Sequence, residues 1–97
     1  MLRNIHSKAF IRLARRLQTA GDARRLAILC VLFRDKKSCV SDIAGSVNAS
    51  VAVTSHHLQA LAKEGLVVPV REGKRVCYAL SPEEFSQDLR KFICRYK

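Results

Sequence analysis

The sequence predicts a small, mainly α-helical domain that closes on one β-hairpin. Apolar residues recur at helical spacing along most of the chain. The period shortens from about 3.6 to about 2 after Gly65, and a Ser-Pro-Glu-Glu signal then starts one more helix. At 97 residues, with no repeat, linker or low-complexity tract, residues 1–97 read as a single domain.

Leu2, Ile5, Ala9, Leu13 and Leu17 form one helical stripe, with Arg3, Lys8, Arg12, Arg15 and Arg16 filling much of the rest. They predict a first helix over about residues 2–18, ended by Gly21 and followed by an Asp22 cap. A second helix spans about residues 23–34. Leu26, Leu29, Cys30 and Phe33 make its main stripe, and Ile28 and Leu32 add a second apolar side. "RDKKSCV" reads as a polar turn.

In "VSDIAGSVN" a short helix buries Val40, Ile43, Ala44 and Val47. In "ASVAVTSHHLQALAKEGLV" Ser50 caps a fourth helix and Gly65 ends it in the left-handed region. There Thr54, Leu58 and Leu61 face inward, while Ser55, His56, Gln59 and Lys63 face outward. "LVVPV" and "RVCYAL" alternate as strands joined by "REGK", and Pro69 places the first of them at a sheet edge. Ser81, Pro82, Glu83 and Glu84 then supply cap, N1 and first-turn acids for a last helix over about 82–96, with Phe85, Leu89, Phe92 and Tyr96 as its stripe.

Two short helices about a tight turn, followed by a basic hairpin, make the winged helix-turn-helix plan (helix-turn-helix about 40–65, wing about 66–80). Charge agrees with it. Eighteen lysines and arginines against eight acids leave a net charge of +10, a surface suited to a polyanion and to salt-sensitive binding. Ser50, Val51 and Ala52 allow close approach to a groove, and Ser55 and His56 offer hydrogen bonds to base edges or phosphate. Lys63 lies farther along the same face, and Arg71, Lys74 and Arg75 of the wing are placed to neutralise phosphates. A solvated face is the plain alternative for "SHH". Zinc binding suits it poorly, since adjacent residues on a helix diverge by about 100°.

No apolar run is long enough to span a bilayer and the chain starts with no signal-like segment, so a cytoplasmic location is expected. A reducing compartment argues against structural disulfides among Cys30, Cys39, Cys77 and Cys94. None lies in a CxxC pair and no base accompanies one, so a thiol oxidoreductase is not expected, nor is a cofactor. Cys30 on its apolar stripe fits packing. Cys39 adjoins a helix N-terminus beside Lys36 and Lys37, which favours thiolate. Cys77 reads as filler in a strand. Cys94 lies opposite the last helix's stripe among Arg90, Lys91 and Arg95, where packing explains it poorly.

"GDARRLAIL", "VSDIAGSVNASVAVTSHHLQALAKEGLV" and "REGKRVCYALS" resemble the ArsR/SmtB winged-helix repressors of prokaryotes. The most specific match is the core formed by Ser55, His57, Leu58, Leu61, Gly65, Leu66 and Val67, with the wing at the expected spacing. The resemblance implies a homodimer built through the first and last helices, binding an inverted repeat in double-stranded DNA and responding to an inducer. Metal-sensing relatives carry C-V-C-D-L where this chain has "CVSDI", so Ser41 replaces one thiolate. The last helix also lacks histidine, leaving Cys39 with distant cysteines as a weak metal alternative. The chain is more similar to the BigR/SqrR-like branch, which responds to reactive sulfur or oxidants. That similarity implies a redox pair between Cys30 of "RLAILC" and Cys94 of "FICRYK". A metal- or metalloid-responsive repressor, a constitutive DNA binder and a basic RNA-binding winged helix are the alternatives.

Overall fold

The computed structural model describes residues 5–97. Its elements run α1 (Lys8–Ala20), α2 (Ala23–Asp35), β1 (Lys37–Cys39), α3 (Val40–Val47), α4 (Val51–Lys63), β2 (Val67–Glu72), β3 (Arg75–Leu80) and α5 (Glu84–Tyr96). The helices and the hairpin follow the expected order. The strand β1 is an addition: "RDKKSCV" is not a simple turn, because Lys37, Ser38 and Cys39 pair antiparallel with Ala79, Tyr78 and Cys77. The sheet is therefore three-stranded in the order β1-β3-β2, with Pro69 on the edge strand β2 where its missing N–H costs no ladder bond.

The ends of the helices follow from local chemistry. Ser7 caps α1 by accepting from Phe10 N–H at 3.1 Å, so the helix begins at Lys8. Ile5 precedes that cap, and the predicted start at Leu2 and Arg3 lies outside the described residues. Asp22 caps α2 by accepting from the N–H groups of Arg24 and Arg25, bonds that hold its carboxyl below the usual carboxylate range. At the end of α4, Gly65 takes φ +77°. Its N–H donates to Ala62 C=O, and Leu66 N–H donates to Leu61 C=O, closing the helix in a Schellman arrangement. The last helix starts two residues later than Ser81-Pro82 suggests. Glu83 is its N-cap residue, and the buried Ser81 hydroxyl instead accepts from Glu83 N–H in the turn before it.

The core forms where α2, α3 and α4 meet the sheet. Ile28, Leu29 and Leu32 of α2 pack with Ile43, Leu58, Leu61, Leu66, Val67 and Tyr78. Cys30 is only half-buried at the edge of this cluster, so the central stripe of α2 runs through Ile28, Leu29 and Leu32. On α5 the inward face is Phe85, Ser86, Leu89 and Ile93, whereas Phe92 and Tyr96 stand exposed and pack on each other. The stripe of α1 also faces outward: Phe10, Ile11, Leu13 and Leu17 are all exposed, and Ala20 alone is buried. No helix among the described residues is long and apolar enough to cross a membrane.

Candidate nucleic-acid interface

The turn between α3 and α4 is only Asn48, Ala49 and Ser50. Asn48 supplies the reversal at φ 55°, a left-handed conformation that asparagine tolerates better than most residues. Ser50 then accepts from Val53 N–H at 3.1 Å. Its hydroxyl is thus engaged as the cap of α4, which fixes the angle at which that helix leaves the turn.

From this cap the first turns of α4 project outward. Val51 and Val53 are exposed, a poor outcome for apolar side chains unless something covers them, and Ala52 and His56 lie open beside them. Valine methyls at this place suit contact with thymine methyls in a major groove. Ser55 and Gln59, one turn apart, are joined by a hydrogen bond from Gln59 Nε2 to Ser55 Oγ at 3.3 Å. A cleft of about 400 Å³ separates this face from the base of the wing, with Val51, Ser55 and Gln59 on one wall and Arg75, Val76 and Tyr78 on the other.

The wing turns at Gly73, whose φ of +62° suits a residue without Cβ. Arg71 and Lys74 are exposed and make no ion pair among the described residues. Arg75 is different. Its Nη2 donates to Asp42 Oδ2 at 2.8 Å and to Ser41 Oγ at 3.4 Å, so its charge is already shared with α3. Lys37 makes a further ion pair with Glu72, whose carboxyl it holds below the usual range. Lys63 stands apart from the group. Twelve residues beyond Val51, it lines a separate basic cleft with Lys8, Arg12 and Arg15 of α1, roughly 18 Å away by helical rise.

The structure therefore places Val51 and Ser55 across the cleft from Arg75, leaves Ala52 and His56 exposed on the same helix, and puts Lys63 elsewhere. Gln59 and Ser41 belong to the same surface and were not among the predicted contacts. Gln59 could have been found from helical spacing, one turn beyond Ser55. Ser41 could not, since it meets Arg75 only through the sheet.

Two expectations about the cysteines are overturned. Cys39 and Cys77 stand directly opposite each other in the β1–β3 register, which brings their two sulfurs together. Cys77 is thus not simple filler and Cys39 is not a lone thiol, because each faces the other across the sheet. The 38-residue separation hid the pair, because only the unforeseen strand β1 brings them together. Cys30 and Cys94 are free thiols, the first half-buried and the second exposed. Among the described residues no group of three or more His, Cys, Asp or Glu side chains is arranged to hold a metal ion.

Comparison with known proteins gives one consistent answer. Residues 22–68 match the model of the arsR family of bacterial regulatory proteins, a span that includes α2, α3 and α4. The cadmium resistance transcriptional regulatory protein CadC of Listeria innocua is 47% identical over 58 residues, which are 60% of this chain and 49% of that protein. The chain thus spans about half the length of the curated relatives it matches first. Among solved structures, the homodimeric winged helix-turn-helix DNA-binding domain Mb0332 of Mycobacterium bovis superposes with a TM-score of 0.83 at 28% identity, covering 95% of this chain and 83% of that one. Reduced HlyU from Vibrio cholerae superposes with a TM-score of 0.83 at 27% identity, covering 95% of each chain. With the family match, the relatives and the helix-turn-helix with its wing all in agreement, residues 22–68 of this chain are a domain of the arsR family of bacterial regulatory proteins.

Proposed function

We propose that the protein is a homodimeric transcriptional repressor that binds an inverted repeat in double-stranded DNA. In this reading α4 enters the major groove and the wing follows the adjacent backbone. The observation that carries it is the cleft between the exposed first turns of α4 and the base of the basic wing. It sits on a chain of net charge +10. Val51, Ala52, Ser55 and His56 supply short side chains and hydrogen-bonding groups to base edges, while Arg71 and Lys74 neutralise phosphates. Ser50 contributes by capping α4, and Arg75 by bracing the wing against Asp42 and Ser41.

The dimer is assigned to α1 and α5. Leu17 is half exposed and Tyr96 nearly three-quarters exposed, too much apolar surface on two helices for a chain that works alone. An apolar cleft of about 310 Å³ between Leu26 of α2 and Phe92, Ile93 and Tyr96 of α5 continues that surface.

Control of DNA affinity is assigned to oxidation or persulfidation of Cys30 and Cys94. Gln87 and Arg90 of α5 lie near Leu32 and Lys36, and Phe92 and Ile93 near Leu26, so α2 and α5 run antiparallel and side by side. Cys30, Leu89 and Ile93 each pack against the core, and Ile93 is next to Cys94 in sequence. A solved neighbour described as reduced HlyU supports redox control in a protein of this fold. The likeness to CadC, a cadmium resistance regulator, favours a second reading in which a metal ion is the inducer.

One experiment separates these readings. Fluorescence anisotropy would compare binding to an inverted-repeat duplex and to a structured RNA, before and after treatment with persulfide, peroxide and cadmium. Duplex preference, lost on persulfide treatment and retained by Cys94→Ser, is the expected result. Preference for RNA overturns the DNA assignment, and release by cadmium alone moves the inducer to metal.

A further inference from the structure

We infer that Cys39 and Cys77 form a reversible thiol–disulfide site that fastens the wing to the helix-turn-helix and thereby tightens binding to duplex DNA. The inference rests on the DNA-binding reading above but involves neither Cys30 nor Cys94.

The position of the pair is the first observation. Cys39 is both the last residue of β1 and the N-cap residue of α3, the first helix of the helix-turn-helix. Cys77 lies in β3, the central strand, whose other end leads into the wing turn through Val76 and Arg75. A covalent bond between them therefore joins the start of one DNA-reading part to the spine of the other. Beside the β1–β3 pairing and the Arg75–Ser41 hydrogen bond, this seam carries the ion pairs of Arg75 with Asp42 and of Lys37 with Glu72. All four of those side chains are between about 44 and 64% exposed, so water and salt screen both pairs.

Access and polarity distinguish the two sulfurs. Cys77 is fully buried, whereas Cys39 retains 8% exposure and lines the cleft between α4 and the wing. A reagent entering that cleft reaches Cys39 first. The Cys39 side chain makes no capping hydrogen bond, which leaves its sulfur at the positive end of α3 with nothing else to satisfy it. That end favours thiolate, making Cys39 the nucleophile of the reduced pair and a good leaving group.

A hydroperoxide closes the bond. Cys39 thiolate attacks the peroxide oxygen and breaks the O–O bond, giving a sulfenic acid and an alkoxide that takes up a proton to leave as alcohol. The Cys77 thiol then displaces water from the sulfenic sulfur. Two thiols and one hydroperoxide become one disulfide, one alcohol and one water, with two electrons passing from sulfur to oxygen. A low-molecular-weight thiol opens it. The thiol attacks Cys39 Sγ and releases Cys77, which takes up the proton. A second thiol then attacks the outer sulfur of the mixed disulfide and releases Cys39.

Open, the wing has no covalent tie to α3 and is held there by strand pairing, the packing of Tyr78 in the core and exposed polar contacts, so more of its ordering must be met when DNA binds. Closed, that ordering is complete beforehand, so the oxidised form binds more tightly.

The test uses the full chain carrying Cys30→Ser and Cys94→Ser, reduced with dithiothreitol or oxidised with hydrogen peroxide. Oxidation is expected to remove two hydrogens from the intact mass and to yield a peptide joining Cys39 to Cys77. The oxidised form is expected to bind a fluorescein-labelled mixed-sequence duplex about threefold or more tightly than the reduced form. Adding Cys39→Ser, or independently Cys77→Ala, should abolish that difference while melting still shows a folded protein. Failure to form the cross-link, equal affinity in the two states, or tighter binding by the reduced form each overturns the inference and leaves the DNA assignment standing. Absence of duplex binding in both states overturns the two together.

Discussion

His57 sits half-buried on the inner side of α4, with Arg25 Nη1 at 3.4 Å from its Nδ1. Arginine can only donate, so Nδ1 accepts and the imidazole is neutral with its proton on Nε2. Burial foremost, then the Arg25 charge, push its pKa below the ordinary value of 6.5. Because the folded state resists protonation, the unfolded chain binds more protons once pH falls to about 6.5 and below. Stability measured by urea unfolding should decline from pH 7 towards pH 5.5, and His57→Gln should flatten that decline. Thr54 presents a related imbalance. Its side chain is fully buried between α4 and the core, and Oγ1 has no hydrogen-bond partner among the described residues. Thr54→Val keeps the shape and removes the unpaired hydroxyl, so it is expected to raise stability by about 1 kcal/mol, read as a higher urea midpoint. Arg16 shows the opposite case, a charge well used. Its guanidinium lies 5.0 Å above the Phe85 ring, pairs with Glu83 at 3.0 Å and donates to Glu64 C=O at the end of α4. One side chain on α1 thus ties down the end of α4 and the start of α5.

At the scale of elements, helices were legible because their signals are local. Ser50, Gly65 and Asp22 cap helices within three or four residues, and Leu58 and Leu61 keep the spacing of one buried face. The strand β1 has no such signal. Three residues show no period, and Lys37, Ser38 and Cys39 are extended only because β3 offers them partners. The Cys39–Cys77 pair was hidden for the same reason. On α5 the apolar stripe was legible, but not how far along it the chain's own core extends. Phe92 and Tyr96 fall near the angle of Leu89 on a helical wheel, yet the core reaches only Phe85, Ser86, Leu89 and Ile93. Sequence supplies an apolar face without saying whether its own chain or another covers it. The wing was legible as a hairpin with a basic tip, but the bracing of Arg75 by Asp42 was not. That difference predicts unequal effects: Arg71→Ala or Lys74→Ala should each lower the slope of log affinity against log salt by about 1. Arg75→Ala should change the slope less than either, because its charge is already partly neutralised by Asp42.

For the whole molecule, the balance of covered and uncovered surface matters most. The core of α2, α3, α4 and the sheet is complete within one chain, but α1 and the end of α5 are not. If a second copy covers them, Leu17→Glu should shift the protein to a monomer in analytical ultracentrifugation while the far-ultraviolet spectrum stays largely helical. The parent protein should melt at a higher temperature as its concentration rises, since dissociation accompanies unfolding. A melting temperature that ignores concentration would remove the dimer from α1 and α5. The outward stripe of α1 then has a consequence for the life of the protein in a cell. A solitary copy displays Phe10, Ile11, Leu13 and Leu17 on a helix anchored mainly by Ala20 and Arg16, the kind of segment that opens first and that proteases cut first. Degradation would then fall on unpaired copies and spare paired ones, so turnover itself would set a floor on the abundance at which the regulator persists.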